Sequence, residues 1–231
     1  MNSPRKKAPK SRIRLWGNPD EGQVTVRDLK LDAIFREAAL AFRWNGYHGT
    51  SLDDIARQLG VAKATLYYYF SNKQELFFHC HIAAADQAIA SVSTDAGADG
   101  LERFRLSMQR YTASIIGSES YSVVILEERS LSEEQLQKVI GKRDEFERRL
   151  QEIIVAGQKD GSIIPCSPKF AVFAALGATN WITKWYRPGG SWSVEDIAEA
   201  MALFIVRGLS THPERLGTGN HILAGEIADL F

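Results

Sequence analysis

Two short amphipathic segments on either side of Gly60 constrain the fold of this chain more than any other feature. The apolar residues of the first segment recur at the spacing of one helix face: Leu52, Ile55, Ala56 and Leu59. Ser51 is placed to cap this helix, and Asp54 favours its first turn because a carboxylate stabilises the positive end of the helix dipole. Gly60 favours the left-handed conformation that ends a helix. The pattern predicts two short helices joined by a tight turn within residues 51–70.

The second of these helices has an inward side and an outward side. We predict that Val61, Leu66 and Phe70 anchor it inward, and its outward residues follow: Ala62, Lys63, Thr65, Tyr67 and Tyr68. Three consecutive tyrosines, 67–69, cannot all face inward on a 3.6-residue period. Two helices around a short turn form a unit whose second helix enters the major groove of DNA. The pattern therefore favours DNA binding over its alternative, a core helix pair with tyrosine filler.

Six side chains are candidate DNA contacts: Thr50, Lys63, Thr65, Tyr67, Tyr68 and Lys73. The two lysines are candidates for phosphate contacts. Thr65 and Tyr67 are candidates for contacts with base edges or a thymine methyl group, and the phenol of Tyr68 for a phosphate.

Residues 28–88 resemble the DNA-binding domain of the TetR/AcrR family of bacterial transcriptional regulators. The resemblance is carried without gaps by three stretches, which are FRWNGY at 42–47, TSLDDIA at 50–56 and GVAKATLYYYFSNKQEL at 60–76. Ala62 and Ala64 depart from the serine and glycine that the family usually has there. We therefore assign no phosphate contact to Ala62. The resemblance implies a homodimer that binds a pseudo-palindromic double-stranded DNA operator, with half-sites roughly 34 Å apart or somewhat more.

The rest of the chain has helical periodicity, and no stretch shows a convincing strand pattern. We predict an all-α fold, with an N-terminal three-helix helix-turn-helix domain and a larger helical ligand-binding and dimerisation domain. The expected domains are a basic arm (1–27), the DNA-binding domain (28–88), the larger domain (89–217) and a C-terminal extension (218–231). The arm is expected either to follow the DNA backbone or to remain a solvated tail.

Charge is distributed unevenly along the chain although the formal net charge is zero. Residues 1–75 contain 13 Lys and Arg against 8 Asp and Glu, whereas residues 76–231 contain 15 against 20. A basic first part and an acidic second part suit a DNA-binding head on a body that avoids DNA. No export signal or stretch long enough to span a membrane is found, and Cys80 and Cys166 form no motif, so we expect a cytoplasmic protein without a membrane partner.

Two late segments, 167–186 and 193–210, are apolar on more than one side. Such helices must bury against several neighbours. In the resembled family these helices pair with their symmetry mates in a four-helix bundle, and we expect the same dimer here. The alternative is that both helices close the core of one subunit.

Candidate ligand contacts are Trp181 and Trp185, one turn apart, together with Arg129 and Arg143, whose guanidinium groups suit a carboxylate or phosphate. The pattern around the tryptophans, NWITKWYRPG at 180–189, resembles family members that respond to acyl-CoA thioesters. The alternatives are a core or dimer-interface role for the tryptophans and solvated ion pairs for the arginines.

No other chemistry is indicated. Adjacent residues of a helix point about 100° apart, so His79, Cys80 and His81 cannot converge on one metal ion. We predict no catalytic residue, no metal site and no cofactor. The chain is expected to be a transcriptional regulator, namely a repressor that a small-molecule effector, for example an acyl-CoA thioester, releases from its operator. A ligand-independent DNA-bound adaptor is the nearer alternative, and an enzyme is the more distant one.

Overall fold

The computed structural model describes residues 26–95, 98–117, 128–187 and 189–217. In these ranges the fold is all-α, as predicted, and eight α-helices follow one another in the order α1 (Val26–Asn45), α2 (Leu52–Leu59), α3 (Lys63–Tyr69), α4 (Lys73–Ser91), α5 (Gly100–Ile116), α6 (Glu133–Asp160), α7 (Pro168–Trp185) and α8 (Val194–Arg207). Two 3₁₀ turns, Glu128–Ser130 and Pro213–Arg215, complete the secondary structure of these ranges. None of the described helices is both long enough and apolar enough to cross a membrane.

Side-chain caps fix where several helices begin. Ser51, Asp99, Ser167 and Ser193 each precede a helix and accept a hydrogen bond from a backbone N–H in its first turn. At Ser193 the bonding is reciprocal, because the side chain of Asp196 also accepts from the Ser193 backbone. These contacts satisfy N–H groups that a helix leaves without partners, so the sequence encodes the helix starts locally.

The described helices differ from the predicted ones at their ends. Helix α1 begins at Val26, so the last two residues of the predicted arm are helical. Helix α6 continues to Asp160 instead of ending near Ala156. Helix α8 ends at Arg207, because Ser210 instead pairs with Ile163 in an isolated antiparallel bridge. The rest of the arm and the predicted C-terminal extension lie outside the described residues.

The chain divides into two compact units. The first contains the described residues up to Ala83 together with 128–136, and the second contains the remaining described residues. The boundary in α4 and the inclusion of 128–136 differ from the predicted division at residue 88.

The core of the first unit joins α1, α2, α3 and the first part of α4. Phe42 of α1 and Phe77 of α4 are fully buried, with ring centroids 4.8 Å apart in an edge-to-face arrangement. Ile55 and Leu66, from α2 and α3, are also fully buried. Burial of these large side chains fixes the two short helices, which are too short to be stable alone.

The second unit is built around α5. Helix α5 packs chiefly against α8 and also against α7, and its buried residues include Leu101, Phe104, Met108 and Ile115. Helix α6 contributes Phe146, Leu150 and Ile153 to the buried set.

Two glycines allow the start of α5 to approach the end of α6. A Cβ atom added to Gly100 would lie 2.2 Å from Cα of Gly157, and one added to Gly157 would lie 2.5 Å from the side chain of Ile163. The approach lets Asp160 accept the N–H of Gly100 at 2.8 Å, and Ser162 accept the N–H of Leu101 at 3.1 Å. The last residue of α6 and the turn that follows it therefore satisfy N–H groups at the start of α5.

Candidate nucleic-acid interface

Helix α2 is locally determined at both ends. Its N-cap Ser51 accepts the N–H of Asp54 at 3.1 Å, and the pKa of Asp54 is lowered, chiefly by its hydrogen bond with the Ser51 side chain. At the other end Gly60 has a φ of 69° and donates its N–H to carbonyls of the last turn. This left-handed conformation is strained for a residue with a side chain. It turns the chain directly into α3, as predicted.

The inward residues of the second helix segment are those that the sequence predicts, with one exception. Leu66 and Phe70 of the second segment are 0 % and 3 % exposed. Val61, the third predicted anchor, is only half-buried. The buried pair holds α3 in one orientation, and the direction of its polar side chains is fixed by that orientation.

The outward face of α3 is aromatic and basic. Tyr67 is 46 % exposed and Tyr68 is 82 % exposed. Lys63 and the small residues Ala62 and Ala64 are exposed beside them, whereas Thr65 is half-buried. We call the exposed residues 62–64, 67 and 68, together with the edge of Thr65, the α3 surface. Exposed tyrosines beside small residues leave room for a base edge to approach.

Lys63 is held by a carboxylate of the preceding helix. Its Nζ lies 2.8 Å from Oδ1 of Asp53 and 5.5 Å from the ring centroid of Tyr67. The hydrogen bond to Asp53 raises the pKa of Lys63. The sequence identified Lys63 but not its partner, because a contact between two helices does not follow from periodicity within either one. A phosphate would have to share or replace this carboxylate.

Lys73 and Thr50 belong to a different contact, at the turn between α1 and α2. Nζ of Lys73 donates to the carbonyls of Tyr47 at 2.7 Å and Thr50 at 2.9 Å, and it lies 4.1 Å from the ring centroid of Tyr47. The hydroxyl of Thr50 is buried and donates to the Gly46 carbonyl at 2.8 Å. The structure thus gives both residues a bracing role and does not place the Thr50 side chain on the α3 surface.

The four predicted ligand contacts are divided between the two units. Arg129 is exposed on a 3₁₀ turn of the first unit, and the other three residues belong to the second unit. Trp181 is 65 % exposed and Trp185 is 37 % exposed, so neither is enclosed in the core of this chain. Arg143 is half-buried on α6.

A buried polar contact that the sequence did not predict connects α5 to α7 near Arg143. The Tyr111 hydroxyl donates to Oδ1 of Asn180 at 2.8 Å. Burial raises the pKa of Tyr111, and the nearby charge of Arg143 opposes that rise. The preceding residue of α7, Thr179, is completely buried, and its hydroxyl oxygen has no hydrogen-bond partner among the described residues. The sequence pointed to this group of polar residues only through Asn180, which stands next to the predicted ligand contact Trp181.

The exposed side of α7 is apolar instead of polar. Phe170 and Phe173 are 73 % and 46 % exposed on α7, and Phe204 is 67 % exposed on α8. Together with Trp181 these residues form what we call the α7/α8 face. Large apolar side chains at this exposure are uncommon on a surface that meets only water.

The two rings of the His79-Cys80-His81 run contact phenylalanines. The ring of His79 stacks on that of Phe35 with centroids 6.2 Å apart, and the ring of His81 lies edge-to-face with that of Phe77 with centroids 4.6 Å apart. Cys80 is buried. Across the described part of the chain, no group of three His, Cys, Asp or Glu residues is placed to hold a metal ion.

Comparison with known proteins agrees with this architecture. Residues 34–80 match the family of bacterial regulatory proteins of the tetR family, and residues 97–209 match the tetracyclin repressor-like C-terminal domain. The HTH-type transcriptional repressor KstR2 of Mycobacterium tuberculosis is 26% identical over 196 residues, which cover 82% of this chain and 96% of KstR2.

Two solved structures share both fold and sequence. The TetR family transcriptional regulator PfmR from Thermus thermophilus has a TM-score of 0.67 and 31% identity, covering 75% of this chain and 97% of PfmR. AibR, solved in complex with isovaleryl coenzyme A and operator DNA, has a TM-score of 0.63 and 29% identity, covering 76% of this chain and 97% of AibR. The chain belongs to the TetR family of bacterial transcriptional regulators.

Proposed function

We propose that this regulator is a repressor that binds a pseudo-palindromic operator as a homodimer, and that an acyl-CoA thioester releases it. The α3 surface carries the DNA-binding part of the proposal. Its tyrosines are exposed on a helix of seven residues that Leu66 and Phe70 hold in one orientation. In this proposal Thr65 and Tyr67 contact base edges, and Lys63 and Tyr68 contact phosphates.

Lys73 and Thr50 have different parts in this scheme. Lys73 has a third N–H group besides the two that bond the carbonyls of Tyr47 and Thr50, and this group is the candidate for a phosphate. Thr50 shapes the turn that positions α2, so its contribution to DNA binding would be indirect.

The α7/α8 face supports the dimer. In the proposed dimer Phe170, Phe173, Trp181 and Phe204 pack against their counterparts on a second copy. Self-association through one apolar patch on each subunit gives the two-fold symmetry that a pseudo-palindromic operator requires. Trp181 is assigned to this interface rather than to a ligand pocket.

The ligand class rests on similarity. AibR, at 29% identity, was solved with isovaleryl coenzyme A and operator DNA. Within the second unit Arg143, Tyr111 and Asn180 offer charged and polar groups for the effector, and Trp185 offers an exposed ring. The relatives are transcriptional regulators, so we propose no enzymatic activity, and we expect the protein in the cytoplasm, where its operator would lie.

The test is an electrophoretic mobility shift of the full chain on the DNA upstream of its own gene, with a panel of acyl-CoA thioesters. The proposal expects a shifted band that one or more thioesters abolish while free coenzyme A does not. A band that no thioester affects would contradict the ligand class and favour the adaptor.

Phe204→Glu tests the dimer, because a charge on the α7/α8 face should halve the mass measured by light scattering. Val155→Glu, at an exposed apolar position of α6, is the matched control and should leave that mass unchanged.

A further inference from the structure

Three arginines converge on a groove of the second unit that the proposed DNA contacts and effector residues do not use. Arg103 of α5 and Arg148 and Arg149 of α6 line it together with residues 92–94, which follow α4. Its volume is about 400 Å³, and Glu152 is the single acidic residue in its lining. We call it the arginine groove. Guanidinium groups suit phosphate because their donors match its oxygens in pairs.

The three guanidinium groups differ in how fully they are bonded. Arg148 pairs with Glu152, and Arg149 pairs with Glu145 at 2.6 Å, on the surface of α6. Nε of Arg103 is buried and has no hydrogen-bond partner among the described residues. A buried donor without an acceptor is unfavourable, and a ligand oxygen would relieve this cost.

Asp160, on whose pKa the charge of Arg103 acts, bonds elsewhere. Asp160 accepts the N–H of Gly100 with one carboxylate oxygen and the N–H of Ser162 with the other, at 2.8 and 2.9 Å. Burial acts to raise the pKa of Asp160, but these hydrogen bonds and the charge of Arg103 lower it overall. Asp160 therefore stays charged and offsets part of the Arg103 charge while bonding elsewhere.

A second groove adjoins the first and shares Arg148 and Glu152 with it. It has a volume of about 550 Å³ and lies between α6 and the start of α7. Val155, Ala156 and Pro168 give it an apolar part, and Lys159 and Lys169 add two cations. A phosphate site thus continues into a surface on which a flat aromatic ring can lie.

We infer that the two grooves together bind the 3′-phosphorylated adenosine diphosphate part of coenzyme A. In this arrangement the phosphates contact Arg103 and Arg149, and the adenine ring lies over Val155 and Pro168. The inference deepens the proposed function and depends on it for the choice of coenzyme A over a free nucleotide, which presents the same adenosine and phosphate chemistry.

The test is isothermal titration of the full chain without DNA. The probes are coenzyme A, adenosine 3′,5′-bisphosphate, ADP and uncharged adenosine. Coenzyme A should bind, the bisphosphate should bind more tightly than ADP, and adenosine should bind at least about tenfold more weakly than the bisphosphate, since a charged hydrogen bond is worth a factor of this order. ADP binding as tightly as coenzyme A would assign the grooves to free nucleotides and overturn the coenzyme A assignment.

Arg103→Gln locates the site. The substitution should weaken bisphosphate binding about tenfold or more, whereas Arg105→Gln should leave it unchanged, because Arg105 lies on the same helix but bonds Glu102 and lines neither groove. Equal binding by wild type and Arg103→Gln would overturn the inference. Arg149→Gln provides the same test at an exposed position if Arg103→Gln fails to fold.

The outcome is separable from that of the proposed function. Suppose that Arg103→Gln abolishes bisphosphate binding but no thioester releases the protein from its operator. The phosphate site in the grooves would then be supported, and the proposal that an acyl-CoA thioester is the effector would be rejected. If instead a thioester releases wild type and Arg103→Gln from the operator equally well, the proposed coenzyme A site in the grooves would be rejected, and the effector proposal would be supported.

Discussion

Lys63 and Asp53 form an ion pair between the two helices of the helix-turn-helix, with Nζ 2.8 Å from Oδ1. Both side chains are about half exposed, so water and salt screen the pair. The carboxylate has two effects on DNA binding. It competes with phosphate for the lysine, and it places a negative charge beside a surface that we propose to meet a polyanion.

Asp53→Asn is therefore expected to strengthen DNA binding. The gain should be about two- to fivefold at low salt, as for a solvent-exposed ion pair, and it should shrink as salt is added. Fluorescence anisotropy with labelled operator measures it. Asp86→Asn, which breaks the surface pair with Lys142 in the second unit, removes the same charge and should change affinity much less. Weaker binding by Asp53→Asn would show that Asp53 positions Lys63 for DNA.

Lys63 and Lys73 should respond differently to the same substitution. Lys73→Met removes the ammonium that bonds the carbonyls of Tyr47 and Thr50, so we expect a loss of about 1–3 kcal/mol in the free energy of unfolding. Lys63→Met should lower the free energy of unfolding less than Lys73→Met does, and it should flatten the salt dependence of DNA binding by about one unit of slope. Thermal and urea unfolding, with anisotropy at several salt concentrations, compare the two. Equal stability of both variants would contradict the bracing role of Lys73.

The packing of Ile163 against Gly157 predicts a large cost for a single methyl group at residue 157. Gly157→Ala would place a Cβ 2.5 Å from Ile163, which has to move, so we expect a loss of roughly 1–3 kcal/mol. Gly141→Ala on the same helix has no atom within 4 Å of the new Cβ and should stabilise by up to about 1 kcal/mol through helix propensity. Chemical denaturation of the pair provides the measurement. Similar effects at the two positions would mean that Ile163 does not pack against Gly157 as described.

Sequence periodicity predicted the parts of this fold that depend on one helix at a time. Gly60, Leu66 and Phe70 have the conformation or the burial that spacing and residue type indicate. Contacts between helices were not predictable in this way. The pairing of Lys63 with Asp53, the bracing by Lys73 and the Gly100–Gly157 approach each join positions that no local pattern relates.

The exposure of aromatic residues was the other limit of the sequence. Trp181 and Phe204 each belong to the apolar pattern of a helix. That pattern is the same whether such a residue fills a core, a ligand pocket or a subunit interface. The structure leaves both at the surface, which sequence hydrophobicity alone could not distinguish from burial. Thr50 is the opposite case. It is a polar residue that we predicted to contact DNA, but its side chain is buried and its hydroxyl donates to backbone carbonyls.

The central claim is that the α3 surface recognises DNA sequence, and Tyr67→Ala tests it most directly. We would measure the affinity of the full chain for its operator and for a scrambled duplex at one salt concentration, with Thr65→Ala as a second variant. The account predicts that each substitution weakens operator binding by roughly 1–3 kcal/mol while scrambled-duplex binding changes little, because base contacts carry specificity and phosphate contacts do not. Equal losses on both duplexes, or no loss on either, would contradict the assignment of Tyr67 and Thr65 to the bases.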